Sequence, residues 1–221
     1  MHRILKLLEG AYGPRRRRRS RPAIDQLVAT ILSQNTNDAN SSAGFEALKD
    51  RFRSWRRAAD APVSEIARCI RASGLARRKA PRIKAILRRI RAETGALSLE
   101  FLSRLPAAEA FEYLTAFDGV GPKTALCVLL FSFGMPVFPV DTHIYRIACR
   151  LGLLDGRTPP ARAHEALTDL IAPADRYAMH VLLIAHGRAT CLARGPRCRE
   201  CCLIGQCSYG RGRAKAGPAR R

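Results

Sequence analysis

Lys123 and Asp141 are the two side chains whose positions in the sequence best suit covalent chemistry. Lys123 follows a turn formed by Gly119, Val120 and Gly121, and it lies in the first turn of an apolar helix pattern. The helix dipole disfavours a charged lysine there, which favours the neutral amine that acts as a nucleophile. The unpaired N–H groups of that turn suit a phosphate. Asp141 opens the next helix pattern. The alternative interpretations are a solvated lysine and a helix N-cap.

Four cysteines near the end of the chain have the spacing of metal ligands. They are separated by six, two and five residues: Cys191, Cys198, Cys201 and Cys207. Four thiolates this close together suit either a tetrahedral zinc ion or a [4Fe-4S] cluster, and the spacing alone does not separate the two. A fifth cysteine, Cys202, would break the spacing on both sides if it replaced its neighbour.

The charge of the chain predicts a polyanionic partner. Lysine and arginine number 39 against 18 acidic residues, which gives a formal charge of +21 over 221 residues. An excess of this size favours nucleic acid over a membrane surface, although an arginine-rich composition without functional meaning is the alternative. The sequence contains no run of eighteen apolar residues, so we expect no membrane span. We expect a cytoplasmic, nucleoid-associated monomer whose cysteines are thiols or ligands and not disulfides.

Helices are expected to position all of these residues. Apolar residues recur at helical spacing in every long segment, and no alternating β pattern of useful length is present, so we predict an all-α fold. The first clear helix begins near Pro22 and ends in a small polar cluster that contains Gln34 and Asn35. Leu75 lies in a glycine loop among three basic residues, where an exposed leucine would be unusual unless it contacts a ligand.

These motifs resemble those of the helix-hairpin-helix DNA glycosylases, and of the endonuclease III family most closely. That family carries L-x-G-V-G-x-K-T-A followed by V-D-T-H. This chain departs from the family at Asp118, where many members have proline. The residues that match are Gly119, Val120, Gly121, Lys123, Thr124, Ala125, Val140, Asp141, Thr142 and His143. The cysteine spacing is also the family's, preceded by H-G-R-x-x-C (His186, Gly187, Arg188, Cys191). The resemblance covers roughly residues 20 to 207.

The resemblance implies a two-lobed, all-α fold. One lobe is a six-helix barrel with the hairpin, at residues 22–133. The other combines residues 1–21 with 134–207 and holds a [4Fe-4S] cluster on the four cysteines. Residues 208–221 are expected to form a basic disordered tail. The DNA site would lie in the cleft between the lobes, with Lys123 and Asp141 facing each other.

The resemblance also implies an activity, which is base excision repair of damaged DNA. Lys123 would form a Schiff base and Asp141 would assist it. Asn35, or Gln34 beside it, and Leu75 would fill the space that an extruded base leaves. Further DNA contacts are expected from the glycine turn, His143, Arg194 and Arg197. The expected partner is double-stranded DNA that contains damaged bases, oxidised pyrimidines in particular, or abasic sites. The alternatives are an adenine-mismatch glycosylase, whose members generally lack this lysine, and a DNA-binding module without catalysis.

Overall fold

Helices account for the regular structure of the chain, as the sequence predicts. The computed structural model describes residues 1–17 and 21–215, with the backbone alone for 213–215. No strand occurs in these ranges, and none of their helices is both long and apolar enough to cross a membrane. The α-helices are α1 (His2–Tyr12), α2 (Ala23–Ser33), α3 (Asp38–Phe52), α4 (Trp55–Asp60), α5 (Val63–Cys69), α6 (Ala76–Thr94), α7 (Ala107–Thr115), α8 (Pro122–Val128), α9 (Thr142–Leu151), α10 (Pro160–Leu170), α11 (Arg176–Ala189) and α12 (Ser208–Lys215).

The chain divides into two compact units. The hairpin unit is Arg19–Met135, and the cysteine unit combines Met1–Arg18 with Pro136–Arg221. The hairpin unit therefore contains α2 to α8, and the cysteine unit contains α1 and α9 to α12. The first helix joins the last part of the chain because Ile4, Leu5 and Leu8 are buried in the same apolar core as α9 and α11.

The core of the hairpin unit is built around α8. The side chains from Thr124 to Leu130 are buried, and a π-helical turn, Leu129–Phe133, continues the helix. Helix α2 packs against α8 and presents its fully buried Leu27, Ile31 and Leu32. Burying each such side chain is worth about 1.5–3 kcal/mol. The helix end that carries Lys123 is thereby fixed from inside the unit.

Two helices were not predicted. Helix α4 has six residues, too few to show an apolar period, and Ser54 caps it by accepting a hydrogen bond from the Arg57 N–H. Helix α12 corrects the prediction that the tail is disordered from residue 208. The Gly210 N–H donates to Cys207 Sγ at 3.2 Å and the Arg150 guanidinium lies 4.7 Å from the centre of the Tyr209 ring. These contacts hold the start of α12 against the cysteine segment.

Parts of two basic segments fall outside the described residues. They are Arg18 and Arg19 in the arginine run and residues 216–221 of the tail.

Candidate functional site

The glycine turn before α8 has the geometry that its sequence predicts. Gly119 has φ 77°, in the left-handed region that favours glycine. A Cβ at this position would also lie 2.8 Å from Arg82 Cδ. Val120 is buried and its N–H donates to the Phe117 carbonyl at 3.1 Å, while Gly121 is exposed and caps α8. The turn is thus pinned by a buried valine between two glycines.

Asp118, the departure from the family pattern, pairs with Arg82. The Arg82 Nε lies 3.1 Å from Asp118 Oδ2, and the aspartate side chain is 83% exposed. An exposed pair of this kind is worth little by itself. Its effect is to place the Arg82 side chain over the Gly119 backbone, on the same turn that proline would stiffen in other members of the family.

Lys123 lies at the boundary between buried and exposed residues. It is partly exposed in the first turn of α8, whereas Pro122 before it is exposed and Thr124 after it is buried. The helix backbone at this point is fixed because the N–H groups of Thr124 and Ala125 both donate to the Gly121 carbonyl, at 2.9 and 3.1 Å. An amine held this way can reach a reactant in solvent while its backbone stays in place.

Gln34 and Asn35 have different surroundings, which bears on the ambiguity between them. Gln34 Nε2 donates to the Gly119 carbonyl and to Thr124 Oγ1, both at 3.2 Å, so this side chain joins the end of α2 to the hairpin. Asn35 is exposed and has φ 53°. Leu75 is likewise exposed, at 46%, and has φ 50°. Left-handed backbone is rare for residues other than glycine and occurs more often at functional sites.

Asp141 caps α9 in the cysteine unit. Its Oδ1 accepts a hydrogen bond from the Ile144 N–H at 2.8 Å, so the structural interpretation of this residue is correct. The cap uses one carboxylate oxygen and leaves the other outside it. The residue before it, Val140, donates its N–H to His164 Nδ1 at 3.0 Å. Burial lowers the pKa of His164, which keeps this ring neutral and able to accept.

His143 packs closely against α11. A Cβ at Gly187 would lie 2.8 Å from His143 Cβ, so only glycine allows the two helices to approach this way. His143 Nδ1 lies 3.0 Å from Arg146 Nη2, and Arg146 also donates to the carbonyls of Gly187 and Cys191. The chain from His143 through Arg146 therefore connects the start of α9 to the first cysteine.

The four predicted ligands line one cavity. Its empty volume is about 370 Å³, counting the solvent at its mouth, and the cysteines that line it are Cys191, Cys198, Cys201 and Cys207. Cys202 does not line it. Among the described residues, no three histidine, cysteine or acidic side chains converge closely enough to hold a single metal ion. The four cysteines thus line one cavity without converging on a single point.

Burial and hydrogen bonds determine how readily the thiols around this cavity ionise. Burial raises the pKa of Cys201 to about 11, so a thiolate there needs a positive group beside it. Arg150 Nη1 donates to Cys191 Sγ at 3.2 Å, and His186 Nε2 lies 3.6 Å from Cys201 Sγ. Burial lowers the pKa of His186 to about 4. Its Nδ1 lies 2.9 Å from the Tyr12 hydroxyl, so a neutral ring faces both partners.

Arg146 and Arg150 were not identified from the sequence. They are four residues apart on α9, and this shared face was the available signal. Arg150 also donates to the carbonyls of Leu192 and Ala193, at 2.7 and 3.1 Å, and so holds the loop between the first two cysteines. Arg194 and Arg197 of that loop are exposed.

Comparison with known proteins matches this chain to base excision DNA repair proteins. Residues 28–173 match the model of the HhH-GPD superfamily base excision DNA repair proteins. An endonuclease III from Sulfolobus acidocaldarius is 34% identical over 193 residues, which is 86% of this chain and 84% of that protein. A candidate DNA glycosylase of Arabidopsis thaliana is 39% identical over 165 residues, and the match spans 75% of this chain but only 56% of that longer protein.

A solved structure is similar over nearly the whole chain. It is a trapped covalent intermediate of endonuclease III with DNA, 26% identical, with a TM-score of 0.82 over 96% of each chain.

Proposed function

The chain belongs to the HhH-GPD superfamily of base excision DNA repair proteins and, within it, to the endonuclease III family. We propose that it is a DNA glycosylase that also cleaves the abasic strand. Its substrate is duplex DNA that carries an oxidised pyrimidine. The observation that carries the proposal is the partly exposed Lys123 amine in the first turn of α8, where the backbone is fixed by hydrogen bonds. The free N–H groups at the start of such a helix suit a DNA phosphate.

Lys123 is the nucleophile. Its neutral amine attacks C1′ of the damaged nucleotide, and the bond between C1′ and the base breaks with its electron pair leaving on the base. The ammonium formed by the attack gives up a proton, the sugar ring opens, and a Schiff base joins Nζ to C1′. Loss of a C2′ proton then expels the 3′ phosphate, which cuts the strand by β-elimination.

Asp141 provides electrostatic stabilisation and a general base for this step. As a carboxylate it stabilises the positive charge that develops on the sugar when the base leaves, and it accepts a proton from the attacking amine. Its place as an N-cap supports this role, because the hydrogen bond from the Ile144 N–H fixes the position of the carboxylate through one of its two oxygens. The proposed pair takes one residue from each unit.

DNA is held by its phosphates and by two inserting side chains. The turn of Gly119, Val120 and Gly121 provides backbone N–H groups, while His143, Arg194 and Arg197 provide side-chain donors. Asn35 and Leu75 enter the duplex when the damaged nucleotide is extruded, at a cost of a few kcal/mol that a damaged base reduces. The exposure of Asn35 supports it as the residue that fills the gap, with Gln34 supporting the hairpin behind it.

Cys191, Cys198, Cys201 and Cys207 hold a [4Fe-4S] cluster. The cavity that these four line, and that excludes Cys202, supports this set. When bound, the cluster would supply positive charge that stabilises the thiolates and would join the segments that carry them. The loop from Leu192 to Arg197 is thereby held out as a basic finger toward DNA.

A panel of duplexes with one lesion each tests the function. The enzyme is expected to cut duplexes with an oxidised pyrimidine without added alkali, and Lys123→Ala is expected to lose this cleavage. Lys6→Ala is the matched control, since Lys6 is an exposed lysine on α1. Cleavage only after alkali, on an adenine mismatch, would indicate the mismatch glycosylase. Binding to every duplex without base release would indicate a module without catalysis.

A further inference from the structure

Lys79 is a buried cation with two backbone partners. It is 3% exposed, and its Nζ donates to the carbonyls of Leu32 and Ser73, both at 2.7 Å. Burial lowers its pKa. A buried ammonium is costly unless hydrogen bonds compensate it, so the two short bonds are a condition for keeping the charge at this point. One cation therefore joins two separate segments of the hairpin unit.

Each of these carbonyls comes just before a residue that we propose inserts into DNA. Leu32 is in the last turn of α2, three residues before Asn35, and a cation there is favoured by the helix dipole. Ser73 ends the short 3₁₀ turn Arg71–Ser73, two residues before Leu75. The backbone N–H of Lys79 also donates to the Leu75 carbonyl at 3.0 Å. The same residue thus fixes the second loop on both sides of Leu75.

Both inserting residues have a strained backbone. Asn35 and Leu75 are two of the three residues other than glycine with positive φ in the described part of the chain. Left-handed backbone is disfavoured for residues other than glycine and persists where the surroundings enforce it. Further contacts add to the constraint. The Ser73 hydroxyl donates to the Ile70 carbonyl at 2.7 Å, and a Cβ at Gly44 would lie 3.2 Å from Ser73 Cβ.

We infer that Lys79 is a positioning residue that fixes the Asn35 and Leu75 loops at one separation, so that both side chains enter the duplex together. This inference rests on the proposed function. Lys79 does not contact the reacting atoms in the proposed mechanism. Its contribution applies only to a duplex, in which the abasic sugar must be rotated out of the helix and the gap opposite the remaining base must be filled. An abasic site in single-stranded DNA presents its aldehyde to Lys123 without that rotation.

Comparing an abasic duplex with the same single strand therefore separates this positioning role from a general loss of protein stability. Lys79→Met keeps a long side chain and removes the donor. It is expected to slow Schiff-base formation on an abasic duplex by roughly 10- to 100-fold, the size of effect that a misplaced supporting group produces. The rate on the same abasic oligonucleotide without its complement is expected to change less than about threefold.

Lys84→Met is the matched control. Lys84 lies on the same helix, α6, and its Nζ also donates to a loop carbonyl, that of Ala61, at 2.7 Å. It does not contact either inserting loop through that bond, so both rates are expected to be those of the wild type. Leu75→Ala provides the second comparison. Adding Lys79→Met to it is expected to cost much less than Lys79→Met alone, because both changes remove the same insertion step.

Circular dichroism and thermal unfolding decide whether each variant is folded at the assay temperature. If Lys79→Met does not fold, Lys79→Gln, which keeps a donor for one carbonyl, takes its place with the same two substrates. Equal slowing on duplex and single strand, or no slowing on either, would overturn the inference and leave the proposed function in place. A wild-type protein that forms no Schiff base on either substrate would overturn both.

Discussion

In the proposed mechanism, one carboxylate, that of Asp141, has both a structural and a chemical role. Its Oδ1 caps α9, which any good N-cap side chain could do, whereas the proposed stabilisation of charge on the sugar needs the negative charge. The two duties can be separated because asparagine is as good an N-cap as aspartate but carries no charge.

We expect Asp141→Asn to remain within about 1 kcal/mol of the wild type in its free energy of unfolding. Its rate of base removal is expected to fall by roughly 10²- to 10⁴-fold, which is the usual contribution of such a group. Asp141→Ala should lose the rate and, in addition, about 1 kcal/mol of stability. Urea unfolding and single-turnover kinetics measure the two quantities. Asp141→Asn with full activity would remove the carboxylate from the mechanism.

At the scale of elements, the segment after α11 carries the four proposed ligands and a further cysteine beside one of them. Cys201 and Cys202 are adjacent in sequence and both are partly buried, but only Cys201 lines the cavity. They form a matched pair of positions with the same residue type, neighbouring backbone and different proposed roles.

Cys201→Ser is expected to reduce the iron bound per chain and to lower thermal stability, because a structural metal group contributes directly to folding. Cys202→Ser is expected to retain the wild-type iron content and the brown colour of an iron–sulfur protein. Elemental analysis for iron and zinc, together with the visible absorption spectrum, provides the measurement. A colourless wild-type protein that contains zinc would show that the four thiols hold the other candidate metal.

Helix α10 supports the segment before Asp141 through a neutral histidine. His164 accepts the Val140 N–H, and burial lowers the pKa of His164 below its usual 6.5. Below pH 6.5 the unfolded chain gains a proton at this residue while the folded chain does not, until the lowered pKa is reached. The free energy of unfolding should therefore fall as the pH decreases through this interval.

The variant His164→Asn keeps a side-chain acceptor and removes the titration. Its thermal unfolding is expected to depend less on pH than that of the wild type between about pH 6.5 and the lowered pKa. The difference between the two proteins isolates His164 from other histidines, including His186. Identical pH dependence in both would show that His164 does not remain neutral in the folded chain.

At the scale of the whole molecule, the sequence is sufficient for the fold class and for the candidate chemical groups. Lys123 and Asp141 could be identified because local motifs carry them, and the all-α fold because apolar spacing repeats in every long segment. Lys79 and Arg146 could not, because their partners are backbone carbonyls that only packing brings near them. Helix α12 was missed for a similar reason, since contacts with Cys207 and Arg150 hold it. The predicted domain boundaries at residues 22, 133 and 207 stay predictions.

The proposed reaction also belongs to the whole molecule, because its nucleophile and its carboxylate come from different units. Borohydride reduction tests it most directly, since it converts a Schiff base between the protein and abasic DNA into a stable covalent adduct. The full chain is expected to form this adduct, with the mass of the reduced sugar on the peptide that contains Lys123, and Lys123→Ala is expected to form none. An adduct of equal yield in Lys123→Ala, or none with the folded wild type, would contradict the account.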